Sequence, residues 1–166
     1  MVSFQPNKIL DSFIRHDVDF VLVGGVCAVF HAVPLHTFDL DVVHSRHADN
    51  LPRLLSCLQE LGAYYRYDPR KLSPGVSHLQ SPGHQLLYTN FGPLDLLGTI
   101  DQGKSYEDLL PGTQTIYFQS RPIKLLSLSF LIEIKERAGR DKDKLVLPLM
   151  RHTLRLQQDP TPSEDT

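Results

Sequence analysis

Three aspartates occur where strand-like segments would bring them together. Asp39 and Asp41 lie two residues apart in the run FDLDVV, and Asp95 is the single acid in the later run GPLDLLG. Side chains two apart in a strand point to the same face of a sheet, so Asp39 and Asp41 present their carboxylates side by side. Two such charges about 6 Å apart repel by roughly 3 kcal/mol at an effective dielectric of about 20. A cation or a proton must therefore neutralise them, and if Asp95 lies on a neighbouring strand, three acids converge.

Magnesium is the cation that these ligands favour. Mg²⁺ prefers hard oxygen ligands and is usually held by a few carboxylates together with substrate phosphates. One ion, or two ions that clamp the attacking and leaving oxygens of a phosphoryl displacement, would suit Asp39, Asp41 and Asp95, and Mn²⁺ is the alternative metal. Two other interpretations stay open. An Asp-x-Asp strand is often a solvated edge, and Asp95 could instead accept from a backbone amide or pair with an arginine.

A glycine pair precedes the acids. Gly24 and Gly25 follow the short apolar run 20–23, which is rich in β-favouring residues and typical of a buried central strand. A helix is predicted to start near Val26. Glycines between a strand and a helix let the backbone approach a polyphosphate and leave amide donors at the positive end of the helix dipole. The sequence therefore predicts a phosphate-binding turn beside the two acids.

The remaining pattern predicts a single α+β (mixed α/β) domain over residues 1–156, followed by a disordered polar tail at 157–166. Residues 66–84 are rich in Pro and Gly and predict an irregular loop. Its charges, Arg66 among them, are either solvated or available to an anionic substrate. Helices are predicted at 7–16, 47–61, 105–110, 127–138 and 143–156, and further strands at 85–88, 93–97 and 115–118.

The composition limits the class of protein. The chain has 166 residues, a net charge of -2 and a pI near 6.4, which argues against a nucleic-acid coat protein. Residues 121–155 are nevertheless basic, with nine Lys and Arg against four Asp and Glu. Cys27 and Cys57 form no CxxC pair, so no disulfide scaffold or structural zinc is expected. We expect no membrane association and a cytoplasmic location, because signal-peptide and membrane-span patterns are absent.

Lys135 is the unusual residue of the helix predicted to begin after Ser127. At about 100° per residue it falls within the apolar arc, whereas the other charged residues of the helix fall opposite. A lysine there either extends its stem along the edge of the core or points its ammonium group into a cleft that contains anions. Cys27, by contrast, is expected to be a small core residue because no base partner for it can be identified.

These residues together resemble a known family. The run VGGVCAVFHAVPLHTFDLDVV resembles the signature of the DNA-polymerase-β-type nucleotidyltransferase superfamily, in which a Gly-Gly turn precedes an Asp-x-Asp strand. The AbiEii-like and MNT-like prokaryotic branch is the closer match, because a threonine, here Thr37, precedes the first acid by two. FGPLDLLG resembles the strand that carries the third carboxylate, and LSLSFLIEIKERAGRDKDKL resembles the C-terminal helix with its Gly-Arg-x-Lys-Asp segment. The resemblance covers residues 19–155.

The resemblance implies a mixed sheet flanked by helices, with a C-terminal helical segment. It also implies transfer of a nucleoside monophosphate from an NTP to a hydroxyl, with release of pyrophosphate. The acceptor would be RNA, such as a tRNA end, or a protein, in a toxin-antitoxin or phage-defence system with a cognate partner protein. Asp95 would draw the proton from the acceptor hydroxyl. The implied metal ligands are Asp39, Asp41 and Asp95, and the implied nucleotide-binding residues are Gly24, Gly25, Thr37 and Lys135.

The sequence departs from the family pattern at two positions. Leu35 stands where many relatives carry an arginine, and Val146 stands where an acid often follows the Lys-Asp pair. A catalytically weak or inactive nucleotide-binding module that acts as an antitoxin-like partner is therefore the alternative function. A metal-dependent phosphohydrolase is a more distant third.

Overall fold

The structure is a computed structural model, and it describes residues 2–159. Within these residues the chain forms seven α-helices, one 3₁₀-helix (Leu110–Gly112) and seven strands. The helices are α1 (Pro6–Arg15), α2 (Gly24–Phe30), α3 (Asn50–Glu60), α4 (Val76–Gln80), α5 (Tyr106–Leu109), α6 (Leu128–Ala138) and α7 (Asp141–Gln158). The strands are β1 (Phe20–Val23), β2 (Leu40–His44), β3 (Tyr64–Tyr65), β4 (His84–Thr89), β5 (Gly92–Leu97), β6 (Thr113–Phe118) and β7 (Arg121–Leu126).

All seven strands belong to one sheet in the order β3-β4-β5-β2-β1-β7-β6. β2 and β5 are parallel, as are β1 and β7, whereas the other neighbours are antiparallel. The predicted α+β class with a mixed sheet flanked by helices is confirmed. The three central strands β5, β2 and β1 carry the buried apolar residues that hold the sheet to its helices.

The two faces of the central strands have different roles. Phe20 of β1 packs against Phe13 of α1, with ring centroids 5.1 Å apart. Val23, three residues later, points to the other face and is paired in register with Asp41 of β2. The acidic side chains therefore lie on the sheet face opposite α1, and the α1 side supplies core packing.

The strongly patterned elements formed as predicted. In the hairpin of β4 and β5, His84 pairs with Leu97 at the open end and Thr89 pairs with Gly92 next to the turn. The helices predicted at 7–16 and 47–61 are present with ends shifted by a few residues. Ser127 accepts a hydrogen bond from the amide of Phe130 and caps α6, while Gly139, with φ +61°, ends it.

Other predictions were wrong in detail. Residues 66–84 were predicted to be an irregular loop, but they contain α4, whose Leu79 is fully buried. The helix was missed because five residues are too few to show helical periodicity. Strands β3 and β7 were not predicted. The last helix begins at Asp141 and continues to Gln158, through Pro148.

The predicted tail at 157–166 lies largely outside the described residues, since the description ends at residue 159. Among residues 2–159, no helix has both the length and the apolar character that crossing a bilayer requires.

Candidate active site

The structure brings the three predicted acids together. Asp41 of β2 and Asp95 of β5 are partners in the parallel register, and Asp39 precedes β2 by one residue. One carboxylate oxygen from each of the three lies within 4.8 Å of the others. The alternation of side chains along β2 and the adjacency of β5 are both needed for this convergence. The sequence predicted the alternation along β2. It did not predict that the strand with Asp95 lies beside β2, and the sheet shows that it does.

The three carboxylates cannot all remain charged without a counter-charge. Burial raises the pKa of Asp41 to about 8, and the neighbouring charges of Asp39 and Asp95 add to the shift. Burial and the charge of Asp95 also raise the pKa of Asp39. A proton on Asp41 satisfies the cluster at neutral pH. A divalent cation would satisfy it as well, since the donors are hard oxygens of the kind that Mg²⁺ prefers. The residues present therefore fit a metal.

The two glycines are required by packing against the site. Gly24 has φ +69°, and a Cβ atom at this position would overlap the carboxylate of Asp41. A Cβ atom on Gly25 would lie 2.7 Å from Oγ1 of Thr37. The Thr37 hydroxyl in turn donates to the backbone carbonyl of Asp39 at 3.2 Å. The glycine turn thus admits both the acid and the threonine to one corner of the site, which any larger residue would prevent.

Lys135 also reaches the site, but it is held by Asp143, the acid of the Gly-Arg-x-Lys-Asp segment, to which the sequence assigned no role. Its Nζ lies 3.1 Å from Oδ1 of Asp143, whose side chain is only 1% exposed. Asp143 binds Arg140 as well, at 2.7 Å through Oδ2. The Lys135 charge is close enough to oppose the rise in the pKa of Asp41. A buried aspartate at the start of α7 therefore fixes two cations beside the acid cluster.

These groups line one cleft of about 790 Å³. Its volume falls in the range of small-molecule and cofactor sites. Both positions where the sequence departs from the family pattern, Leu35 and Val146, lie in the lining, and so does His36. The cations of the cleft are Lys135, Arg137, Arg140 and Lys142. Among the described residues, Lys142 has no carboxylate within 4 Å, so its charge is available to a ligand.

Comparison with known proteins shows what this architecture is. No family profile and no curated protein sequence matches the chain. Solved structures do match. A Thermotoga maritima protein provisionally classed as a nucleotidyltransferase has a TM-score of 0.55 at 16% identity, over 95% of this chain and 96% of its own. The lincosamide antibiotic adenylyltransferase LnuA, solved with lincomycin bound, has a TM-score of 0.58 at 15% identity, over 91% and 98% of the two chains.

A third similar structure is ANT(2'')-Ia in complex with adenylyl-2''-tobramycin. Its TM-score is 0.57 at 15% identity, over 92% of this chain and 89% of its own. The chain has the nucleotidyltransferase fold. The finer resemblance to the AbiEii-like and MNT-like branch stays a prediction.

Within the nucleotidyltransferase fold of this chain, Arg66 occupies a position that the sequence left ambiguous. Its Nη2 donates to Oδ1 of Asp95 at 2.6 Å, and the two side chains are only 12% and 14% exposed. The same nitrogen donates to the carbonyl of Leu87 at 3.1 Å. Arg66 is therefore not a solvated loop charge, and the arginine partner considered for Asp95 exists. No local signal joins the two residues, since they are 29 positions apart and meet only through the sheet.

Cys27 is a core residue, as predicted. It is fully buried, its Sγ donates to the carbonyl of Leu126 at 3.4 Å, and burial raises the pKa of its thiol to about 12. The thiol is therefore protonated at neutral pH and is unsuited to act as a nucleophile.

Proposed function

We propose that this protein is a metal-dependent nucleotidyltransferase. The reaction would join an acceptor hydroxyl oxygen to the α-phosphorus of an NTP and break the bond to the β-phosphate, so that pyrophosphate leaves. The observation that carries the proposal is the convergence of Asp39, Asp41 and Asp95 within 4.8 Å in a cleft that also holds four cations. Carboxylates that hold a metal and cations that hold phosphates are the two requirements of nucleotidyl transfer.

The three aspartates would hold Mg²⁺, as one ion or two, with Mn²⁺ as the alternative. When bound, the metal would stabilise the charge that develops on the attacking and leaving oxygens. The raised pKa values of Asp39 and Asp41 support this assignment, because clustered carboxylates of this kind need a cation.

The other residues would bind and orient the nucleotide. Gly24 and Gly25 would let the phosphates approach the backbone, and Thr37 would fix the loop beside them. Lys135, positioned by Asp143, would offset triphosphate charge. We assign to Lys142 the charge that Leu35 does not provide, since it lies in the same cleft without a carboxylate partner among residues 2–159.

Asp95 would accept the proton of the acceptor hydroxyl. In the structure its Oδ1 is bound by Arg66, so the proton would go to Oδ2, or to Oδ1 once Arg66 has moved away. The same contact favours the second candidate function, an inactive nucleotide-binding module that acts as an antitoxin-like partner protein. In that case Arg66 would remain on Asp95 and replace the metal charge.

The acceptor defines the biological role. From the resemblance, we propose the hydroxyl of an RNA, such as a tRNA end, or of a protein, in a toxin-antitoxin or phage-defence setting. LnuA was solved with lincomycin, and this chain covers 98% of its length, so a small-molecule hydroxyl is the acceptor that must be tested against them.

Incubation with each α-³²P-labelled NTP, Mg²⁺ and either total RNA, total protein or lincomycin would test the proposal. We expect label transfer with pyrophosphate release, and loss of both in Asp39→Asn and Asp41→Asn. Asp49→Asn is the matched control, because the Asp49 side chain is 81% exposed just before α3. Transfer that is equal in all four proteins, or absent from all, would exclude the enzyme. NTP binding without transfer would identify the inactive module.

A further inference from the structure

The sheet face that carries Asp95 continues beyond the acid cluster toward the edge of the sheet. Asp95 is paired with Leu86 of β4, and two positions away Pro93 is paired with Tyr88. Tyr88 is paired in turn with Tyr64 of the edge strand β3. Register partners and residues two apart share a face, so the acid and both tyrosines lie on one side. Tyr88 is thus a diagonal neighbour of Asp95, at about 7–8 Å, and Tyr64 is one strand further out.

Aromatic rings and cations alternate along this tyrosine strip, which comprises Tyr64, Tyr88, Arg66 and Lys71. The two rings lie 6.0 Å apart. The Arg66 guanidinium lies 5.3 Å from the centre of the Tyr88 ring, and Nζ of Lys71 lies 5.5 Å from that of Tyr64. The rings are not core residues, since 38% of Tyr88 is exposed. The strip is therefore a partly exposed aromatic surface that starts at the acid cluster, and each of its rings has a cation over one face.

The charge around the strip is positive. Among the described residues, Lys71 has no carboxylate within 4 Å. Arg70 is paired with Asp68 at 3.0 Å, and Arg66 is paired with Asp95. Three cations thus lie beside two acids, Asp68 and Asp95, and the charge of Lys71 is left uncompensated. A second pocket adjoins the main cleft, with His84 and Leu86 lining both, and Arg66 is the member of the strip that lines it. A ligand on this surface could therefore extend into the main cleft.

We propose that the tyrosine strip binds the 3′-terminal nucleotides of a single-stranded RNA and delivers its terminal hydroxyl to Asp95. The proposal rests on the proposed function, because it identifies the acceptor of that reaction. Bases stack on tyrosine rings, while Arg66 and Lys71 meet the phosphates between them. With their centres 6.0 Å apart, the two rings can each contact one of two successive bases. A duplex would present no free base faces.

Binding can be measured apart from catalysis. The probe is a 5′-fluorescein RNA hexamer with a free 3′ hydroxyl, titrated with the whole protein in EDTA without NTP and followed by anisotropy. We expect Tyr88→Leu and Tyr64→Leu each to weaken binding roughly ten-fold, as loss of one stacked base implies. Tyr88→Phe keeps the stacking ring and should bind as the wild type does. Tyr117→Leu is the matched control, since Tyr117 is 76% exposed on β6, at the opposite edge of the sheet.

Salt dependence tests the phosphate contacts. We expect Lys71→Gln to reduce the slope of log K against log salt by about 0.7, the value for one phosphate contact on a single strand. An unchanged slope would contradict a phosphate contact at Lys71. An RNA duplex of the same sequence should not displace the hexamer, and displacement would contradict base stacking. A DNA hexamer of the same sequence is the second comparison, and tighter binding of this DNA than of the RNA hexamer would overturn the assignment to RNA.

The test separates this proposal from the proposed function. If label is transferred and Asp39 is required, but Tyr88→Leu and Tyr117→Leu bind the hexamer equally well, the enzyme stands and the tyrosine strip is not its acceptor site. Label found in protein or in lincomycin, with RNA unlabelled, has the same meaning. If the strip variants lose RNA binding but no acceptor is ever labelled, RNA binding by the strip is supported and the proposed transfer reaction fails.

Discussion

Replacing Asp41 by asparagine should change how stability depends on pH. Burial and two neighbouring acids raise the pKa of Asp41 from 3.8 to about 8 in the folded protein. Between these values the folded state holds a proton that the unfolded state has released. The free energy of unfolding therefore falls as pH rises through this window. The contribution of the protonated carboxyl to the free energy of unfolding is complete below about pH 4 and is lost above about pH 8.

The size of the effect follows from the shift. One pKa unit corresponds to about 1.4 kcal/mol, so the full shift would remove about 3 kcal/mol between pH 5 and pH 7. Asp41 is only half-buried, and solvent reduces this figure, so we expect about 1–3 kcal/mol. The asparagine side chain of the variant does not titrate. The difference in stability between Asp41→Asn and the wild type should therefore shift by this amount in favour of the variant as pH rises, while the contribution of Asp39 largely cancels.

Urea denaturation at pH 5, 6 and 7 in EDTA measures the difference directly. Asp49→Asn, on an exposed side chain, should follow the wild type at every pH. In the wild type, Mg²⁺ should restore stability most at the highest pH, because metal binding needs the deprotonated carboxylates. Wild-type and Asp41→Asn curves that run parallel across this range would refute the coupling of the acids, whatever the activity of the protein.

Two further predictions concern the groups that support the site. Gly24→Ala should lower the stability by about 1–3 kcal/mol and abolish stabilisation by Mg²⁺, because the added methyl group overlaps the Asp41 carboxylate. Gly103→Ala is the control: Gly103 also has positive φ but lies in open space, so this variant should lose stability only through backbone strain. Equal effects of Mg²⁺ on the two variants would contradict the overlap. Asp143→Asn should lower the free energy of unfolding by about 2–3 kcal/mol in urea denaturation and weaken NTP binding, because Lys135 loses its buried partner. Asp141→Asn changes a fully exposed side chain and should lower it by less than about 0.5 kcal/mol. Equal losses of stability in the two variants would contradict the role assigned to Asp143.

Local pattern predicted the elements whose burial follows a simple period. β1, β2 and β5 are short apolar runs in the sheet centre, and α3 and α6 have clear apolar stripes with recognisable ends. β7 was missed because Pro122 removes an amide donor and interrupts the pattern of a strand. The two residues before it, Gln119 and Ser120, both have positive φ, yet neither is the glycine or asparagine that marks such a turn. The lack of a turn signal hid the β6–β7 hairpin.

The site was predictable where its geometry follows from one strand and unpredictable where it depends on pairing across the sheet. Asp39 and Asp41 needed only the two-residue alternation of β2. Arg66 needed the register of β3, β4 and β5 together, because Leu86 stands between it and Asp95 in the sheet. Asp143 belongs to the Gly-Arg-x-Lys-Asp segment of the resemblance, but its pairing with Lys135 could not be predicted, since its burial depends on how α7 packs against α6.

The charge on the three clustered acids, Asp39, Asp41 and Asp95, links them to Arg66. Without metal, Asp41 keeps a proton and Asp95 keeps Arg66, so both neutralising groups come from the protein and its solvent. A divalent cation bound by the carboxylates would remove the need for either. Arg66 would then be free to face the tyrosine strip, where its guanidinium already lies against Tyr88. Under the proposed function, occupation of the metal site and readiness for an anionic acceptor are therefore coupled through one arginine, which lies between the reacting acid and the surface that would hold the acceptor.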